Sequence, residues 1–390
     1  MAVSFLARDV SDLCLGKPPL RSLSAAATVA DALDALKSSD GEIHVSVWSF
    51  ENEVGRCVGK LCMVDVICYL CREDNLLSPS KSLKEPLSSI LPKDHNLVVH
   101  LQPSSSLLEA IDLILQGAQN FVVPILPTKR SGVSRRKQQH QKASSTINSH
   151  SSCEFCWLTQ EDVIRFLLGS IGVFTPLPAL SIDSLGIISS DVLAIDYYSP
   201  ASSTVGAISK SLAQQTSVAI VDSDGTFIGE ISPFTLACCD ETVAAAMATL
   251  SAGDLMAYID CGGPPEDLVR VVKARLKEKN LEKMLQEFTI LSSCESSQLA
   301  SSSSSSDEES TTRTPARSGR LARSSSYSAR MVRKAEAIVC HPKSSLVAVM
   351  IQAIAHRVNY LWVIEDDCSL VGIVTFSNML KVFREHLETM

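Results

Sequence analysis

Aromatic residues make up only 5% of the 390-residue chain, and charged residues only 20%. So little charge excludes a disordered polyelectrolyte, and 45% apolar residues are ample to bury sizeable cores. No apolar run approaches the roughly 20 residues that span a bilayer. The opening MAVSFLARDVSDLCLGK carries Arg8, Asp9 and Asp12 where a signal peptide needs an apolar block and a transit peptide is poor in acids. These absences predict a cytoplasmic protein, with the nucleus as the alternative compartment and no membrane contact. A net charge of −8 argues against nucleic acid as a partner. Catalytic signatures are missing too: there is no GxGxxG, GxSxG, HExxH or GxxxxGK[ST]. GRCVGKL has the wrong spacing for a phosphate loop, and Gly59 and Lys60 fall in a strand pattern. With no acid–base or nucleophile constellation, the expectation is a protein that is not an enzyme.

Cysteine, by contrast, is plentiful, but its 13 copies are odd in number and scattered through apolar segments such as VICYLC. That is the distribution of reduced, buried thiols. Cys68/Cys71 and Cys153/Cys156 have zinc-ligand spacing. The first pair lies in a helical pattern and the second straddles a strand with its thiols on opposite faces, so zinc is not expected.

The organising feature is an internal repeat. SVAIV, DSDG and TFIGEI read as strand, turn and strand, and Asp-Gly between apolar runs is a hairpin signal. LWVIEDDCSLVGIVTF repeats the pattern near the end of the chain, and IHVSVWSF/RCVGKL and NFVVPIL/CEFCWL repeat it twice near the start. Each hairpin is preceded by an extended stretch, a Pro or Ser cluster and an apolar-periodic helix, as in LVVHLQPSSSLLEAI and IVCHPKSSLVAVM. Serine there accepts from the unpaired first-turn N–H groups, and proline delays the helix. The repeats span 15–75, 95–171, 188–250 and 335–388, the second broken by a polar, basic insert at 127–152. A β-α-β-β-α unit of about 55 residues cannot bury both faces of its sheet alone, so four units should make two pairs. Residues 264–291 predict one amphipathic helix, and the serine-rich 292–332 a disordered linker.

LVAVMIQAI…LWVIEDDCSLVGIVTFSNML and VGAISKSL…VAIVDSDGTFIGEISPFTL resemble the cystathionine-β-synthase (CBS) domain family, whose α/β units pair into Bateman modules. With four copies the chain is similar to plant four-repeat CBS-domain proteins, and distantly to the γ subunit of AMP-activated and SNF1-related kinases. In the family a G-x-x-[TS]-x-x-D motif holds the ribose and phosphate of adenosine ligands. Here it reads Gly59, Cys62, Asp65; then Cys156, Thr159, Asp162; then Gly229, Ser232, Thr235; then Gly372, Thr375, Asn378. The resemblance thus implies ligand binding by Thr159, Asp162 and Asp65, all in the N-terminal pair. AMP, ADP, ATP or S-adenosylmethionine is the implied regulatory ligand, with no required cofactor. It implies a protein partner, such as a SNF1-related kinase complex, and leaves homodimerisation open. A second reading stands beside it: Thr-x-x-Asp at a helix start is also a capping box. On that reading the protein is a ligand-independent interaction scaffold.

In the serine-rich stretch, Arg323 and Leu321 stand three and five residues before Ser326, an arrangement that basic-directed kinases accept. Phosphorylation would add a charge of about −1.5 to −2 beside Arg320, Arg323 and Arg330. KRSGVSRRK in the insert has the composition of a nuclear import signal, or simply of a solvated loop.

Overall fold

Each repeat opens on a short strand that pairs parallel with the first strand of its hairpin, so that a helix must cross between them. The computed structural model describes residues 7–38, 43–51, 54–92, 97–125, 154–260, 264–299 and 336–388. Ser326, KRSGVSRRK, Cys153 and the 127–152 insert lie outside the described residues. In copy 1, β1 (Ser22–Ser24) leads through α1 (Val29–Lys37) to β2 (His44–Glu51) and β3 (Val54–Cys62), and α2 (Met63–Leu70) follows. Copy 2 runs β4 (Val98–His100), α3 (Leu107–Leu115), β5 (Asn120–Ile125), β6 (Glu154–Thr159) and α4 (Gln160–Gly169). Copy 3 runs β7 (Ala194–Asp196), α5 (Val205–Gln214), β8 (Val218–Val221), β9 (Phe227–Ile231) and α6 (Pro233–Ala237). It is extended by α7 (Val243–Thr249) and α8 (Ala252–Asp260). After α9 (Glu266–Glu278) and α10 (Glu282–Leu299), copy 4 closes the chain with β10 (Val339–Cys340), α11 (Leu346–His356), β11 (Tyr360–Ile364), β12 (Leu370–Thr375) and α12 (Phe376–Glu388). All four sheets have three strands in sequence order, the first pair parallel and the second antiparallel.

The crossover helices of copies 1, 2 and 4 start on a side-chain cap. Thr28, Ser106 and Ser345 each accept from the backbone N–H three residues on. Their apolar stripes, such as Leu107, Ala110, Ile111 and Ile114, are fully buried.

The expected single helix over 264–291 is two. Asn280 adopts a left-handed φ of 56°, and the Asn280 and Leu281 N–H groups turn back to Lys277 and Leu276 carbonyls, which ends α9. The apolar spacing reads through this break because Leu276, Met284 and Phe288 from both helices enter the same core. Arg275 and Lys279 donate to the carbonyls of Thr249 and Ala248, neutralising the C-terminal end of α7. α10 continues to Leu299, so the stretch predicted to be disordered from 292 begins as helix.

Pairing follows two rules at once. Sheets meet within each half: Trp48 and Cys57 of copy 1 pack on Val98 and Val122 of copy 2, and Ala219 of copy 3 packs among Tyr360, Trp362 and Ile373 of copy 4. Helices meet across the halves, in much larger cores. One joins Val64, Ile67 and Leu70 of copy 1 to Ile208, Leu236 and Met247 of copy 3. The other joins Leu107, Ile111 and Leu167 of copy 2 to Val349, Met379 and Phe383 of copy 4. An α-helix that buries one side on its own sheet still carries apolar residues on the other, and only the opposite half can cover them.

Candidate functional site

The motif lies where the last strand of each hairpin becomes a helix, and its first duty there is capping. Thr159 Oγ1 donates to Asp162 Oδ2 (2.8 Å) and accepts from the Asp162 N–H (3.4 Å), while the Thr159 N–H donates to the same Oδ2 (2.7 Å). Thr375 and Asn378 repeat that box in copy 4, and Ser232 accepts from the Phe234 N–H in copy 3. In copy 1 the Cys62 N–H donates to Asp65 Oδ2 at 2.8 Å.

The two acids of the N-terminal half are not equivalent. Asp162 Oδ2 also receives Lys17 Nζ at 2.5 Å, so a ribose hydroxyl would compete with a cation and two N-cap donors for it. Lys17 comes from the segment after the single-turn helix Val10–Cys14, which sits on copy 2 rather than on copy 1. Asp65 has no ion pair of this kind among the described residues. Burial pushes its carboxyl up to about 6, against the pull of the Cys62 N–H.

Asp65 and Thr159 line a cavity of about 920 Å³ at the meeting point of all four repeats. Tyr69 of α2, Arg72 just beyond its end, Phe234 of copy 3, and Arg357 and Asn359 of copy 4 complete its wall. A volume of this size takes a nucleotide. Asp162 lies instead in a smaller cavity of about 310 Å³, with Lys17, Arg21 and Trp157. Between the two stand His44, Lys60 and Thr159, which line both. Lys60 Nζ donates to Asn120 Oδ1 (2.9 Å) and lies 5.4 Å from the Trp157 ring centroid. Burial brings its ammonium down to about 8, still largely charged at neutral pH, and drives the His44 imidazole well below its usual range. On the cavity wall Gln215 Nε2 donates to the Gln119 carbonyl (3.0 Å), and Asn359 Nδ2 donates to Gln215 Oε1 (3.0 Å), tying copies 2, 3 and 4 together.

The C-terminal half buries an acid instead. Glu230 Oε2 accepts from Trp362 Nε1 (2.6 Å) and Tyr360 Oη (2.9 Å), with no cation in ion-pair contact among the described residues. Burial raises its carboxyl, and raises that of Asp260 to about 6 with help from the Glu230 charge. Groups whose folded-state pKa is raised stabilise the fold in their protonated form, a contribution lost as pH rises through the folded value. Thermal unfolding between pH 5 and pH 7 should therefore show the midpoint falling toward pH 7. Glu230→Gln should make that fall shallower, because the buried carboxyl no longer has a proton to lose. Parallel profiles for the two proteins would contradict the assignment to Glu230.

Every described cysteine is a free thiol, and among the described residues no group of three His, Cys, Asp or Glu could hold a metal ion. No helix among them is long and apolar enough to cross a membrane. Of the expected residues, Thr159 and Asp162 come together, while Asp65 lines the larger cavity and Asp162 the smaller. Sequence reasoning passed over Lys60 and Lys17. The signal for Lys60 was a charged residue between Gly59 and Leu61 in a strand pattern, two positions before the motif's helix cap. Nothing in the sequence points to Lys17.

A CBS domain model matches residues 329–385. The CBS domain-containing protein CBSX5 of Arabidopsis thaliana is 53% identical over 403 residues, covering 100% of this chain and 99% of its own length. CBSX6 of the same plant is 29% identical, covering 97% of this chain and 94% of its own length. Among solved structures, protein MJ1225 from Methanocaldococcus jannaschii, described as a putative archaeal homolog of g-AMPK, superposes with a TM-score of 0.52 at 14% identity. That match covers 96% of this chain and 100% of the archaeal one, and it shows a common fold. With four sheets of one topology and a full-length relative at 53% identity, the chain belongs to the CBS domain-containing proteins, a family of regulatory rather than catalytic character.

Proposed function

We propose that this protein senses an adenosine-type nucleotide in its N-terminal pair and passes the occupancy of that site to a protein partner, for which a SNF1-related kinase complex is our candidate. The observation that carries the reading is the cavity of about 920 Å³ into which Asp65 and Thr159 both face. A carboxylate can accept from ribose hydroxyls there, and the side chains of all four repeats reach the same space. A ligand that binds one arrangement of the halves more tightly than another shifts the population between them, which is all a regulator needs.

Thermal unfolding of the full chain with AMP, ADP, ATP and S-adenosylmethionine tests this. A ligand at a hundred times its dissociation constant adds about 2.7 kcal/mol, a rise of a few degrees in the midpoint. Asp65→Asn should abolish the rise. Asp162→Ala is the poorer probe, because it also opens a capping box and strands Lys17. If none of the four ligands moves the midpoint, the sensing reading falls. The scaffold reading then takes its place, favoured by the Thr159–Asp162 box already closed by Lys17.

A further inference from the structure

One geometric position occurs in both halves with opposite charge. Lys60 stands two residues before the helix cap of copy 1 and bonds Asn120, the first residue of β5 in copy 2. Glu230 stands two residues before the cap of copy 3 and bonds Tyr360, the first residue of β11 in copy 4. Strand register makes the equivalence strict: Asn120 lies opposite Thr159, and Tyr360 opposite Thr375. By the same register Val122 takes the place that Trp362 holds in the C-terminal half.

The C-terminal version is satisfied from within. Glu230 is 6% exposed, Trp362 is 0% exposed, and both donors to the carboxylate come from the chain itself. The N-terminal version is left open, with a cavity on either side of Lys60. Among the described residues no carboxylate stands within ion-pair distance of Lys60, nor of Arg72 and Arg357 on the larger cavity's wall. A half-buried ammonium that faces two cavities, held by one neutral acceptor and a ring face and with no carboxylate in ion-pair contact, is a site for an anion.

From this inversion we propose that the N-terminal cavity takes a phosphate-bearing nucleotide, one per chain, with its phosphate anchored on Lys60, and that Glu230 bars the same ligand from the C-terminal pair. This rests on the nucleotide reading above and narrows it. S-adenosylmethionine would bring its sulfonium and ammonium charges against Lys60, and a phosphate would meet the buried carboxylate of Glu230 in the other half.

Isothermal titration of the full chain with AMP, adenosine and S-adenosylmethionine is the test. AMP should bind once per chain and adenosine about 10- to 100-fold more weakly. Lys60→Met should bring AMP down to the affinity of adenosine and leave adenosine unchanged, while Glu230→Gln leaves AMP binding intact. Thermal unfolding without ligand checks that both variants fold, and the AMP–adenosine comparison on the native chain needs no variant. Equal affinities for AMP and adenosine, or tightest binding by S-adenosylmethionine, would overturn the anion assignment and leave the nucleotide reading standing. So would an AMP affinity untouched by Lys60→Met. Binding by none of the three would remove both.

Discussion

Trp362→Ala is expected to cost about 5 kcal/mol of unfolding free energy, the largest loss of any single substitution considered for this chain. The indole is fully buried in the seam between the sheets of copies 3 and 4, against Phe227 at 5.5 Å and Tyr360 at 5.8 Å between ring centroids. Truncation opens a cavity, for which large aromatic residues cost about 3–5 kcal/mol. It also removes the Nε1–H that stabilises Glu230, adding about 1–3 kcal/mol when a buried carboxylate loses a donor. Trp362→Phe keeps most of the volume and loses only the donor, so it should cost about half as much. Chemical denaturation of both variants, repeated in a Glu230→Gln background, separates the two contributions. A loss below about 2 kcal/mol for Trp362→Ala would mean that the seam repacks and that the indole is not its keystone.

Gly372→Ala should cost about 3 kcal/mol for a different reason. A Cβ at Gly372 would stand 2.4 Å from the Ser189 carbonyl oxygen and 2.9 Å from Ile188 Cγ2. Ser189 cannot retreat freely, because its N–H donates to the Ile373 carbonyl and its carbonyl accepts from the Ile373 N–H, both at 2.9 Å. The added methyl therefore either breaks this two-bond bridge between the connecting segment and β12 or distorts the strand. Gly206→Ala is the control. It lies in α5 with nothing within 4 Å of an added Cβ, and should be neutral or stabilising by a few tenths of a kcal/mol. The unfolding midpoint should fall for Gly372→Ala and hold or rise slightly for Gly206→Ala, and a Gly372→Ala protein as stable as the parent would show that the connecting segment is free to shift.

The repeat was legible because hairpins and helix caps are written locally. Ser106, Ser345 and Thr159 sit next to the groups they cap, and a strand of alternating or continuous apolar residues announces itself without its partner. The α9–α10 break was hidden because Leu276 and Met284 keep helical spacing across a turn whose only mark is Asn280. The site was half legible. Thr159 and Asp162 are three residues apart, and their relation follows from one helical turn. Lys17 reaches Asp162 across 145 positions, and Lys60 meets Asn120 across 60, distances over which a single sequence carries no pairing information. The opposite charges at Lys60 and Glu230 are both plain in the sequence, yet only strand register shows that the two residues hold the same place.

The division of labour between sheets and helices, with seams inside each half and cores between halves, bears on how such a chain can change over generations. A half cut away near residue 185 would leave its severed partner with two bare helical faces and little prospect of remaining in solution. Duplicated units usually travel as cassettes, copied, swapped or lost one at a time. Here each half has become the other's missing wall, so losing one half would bare the core of the other.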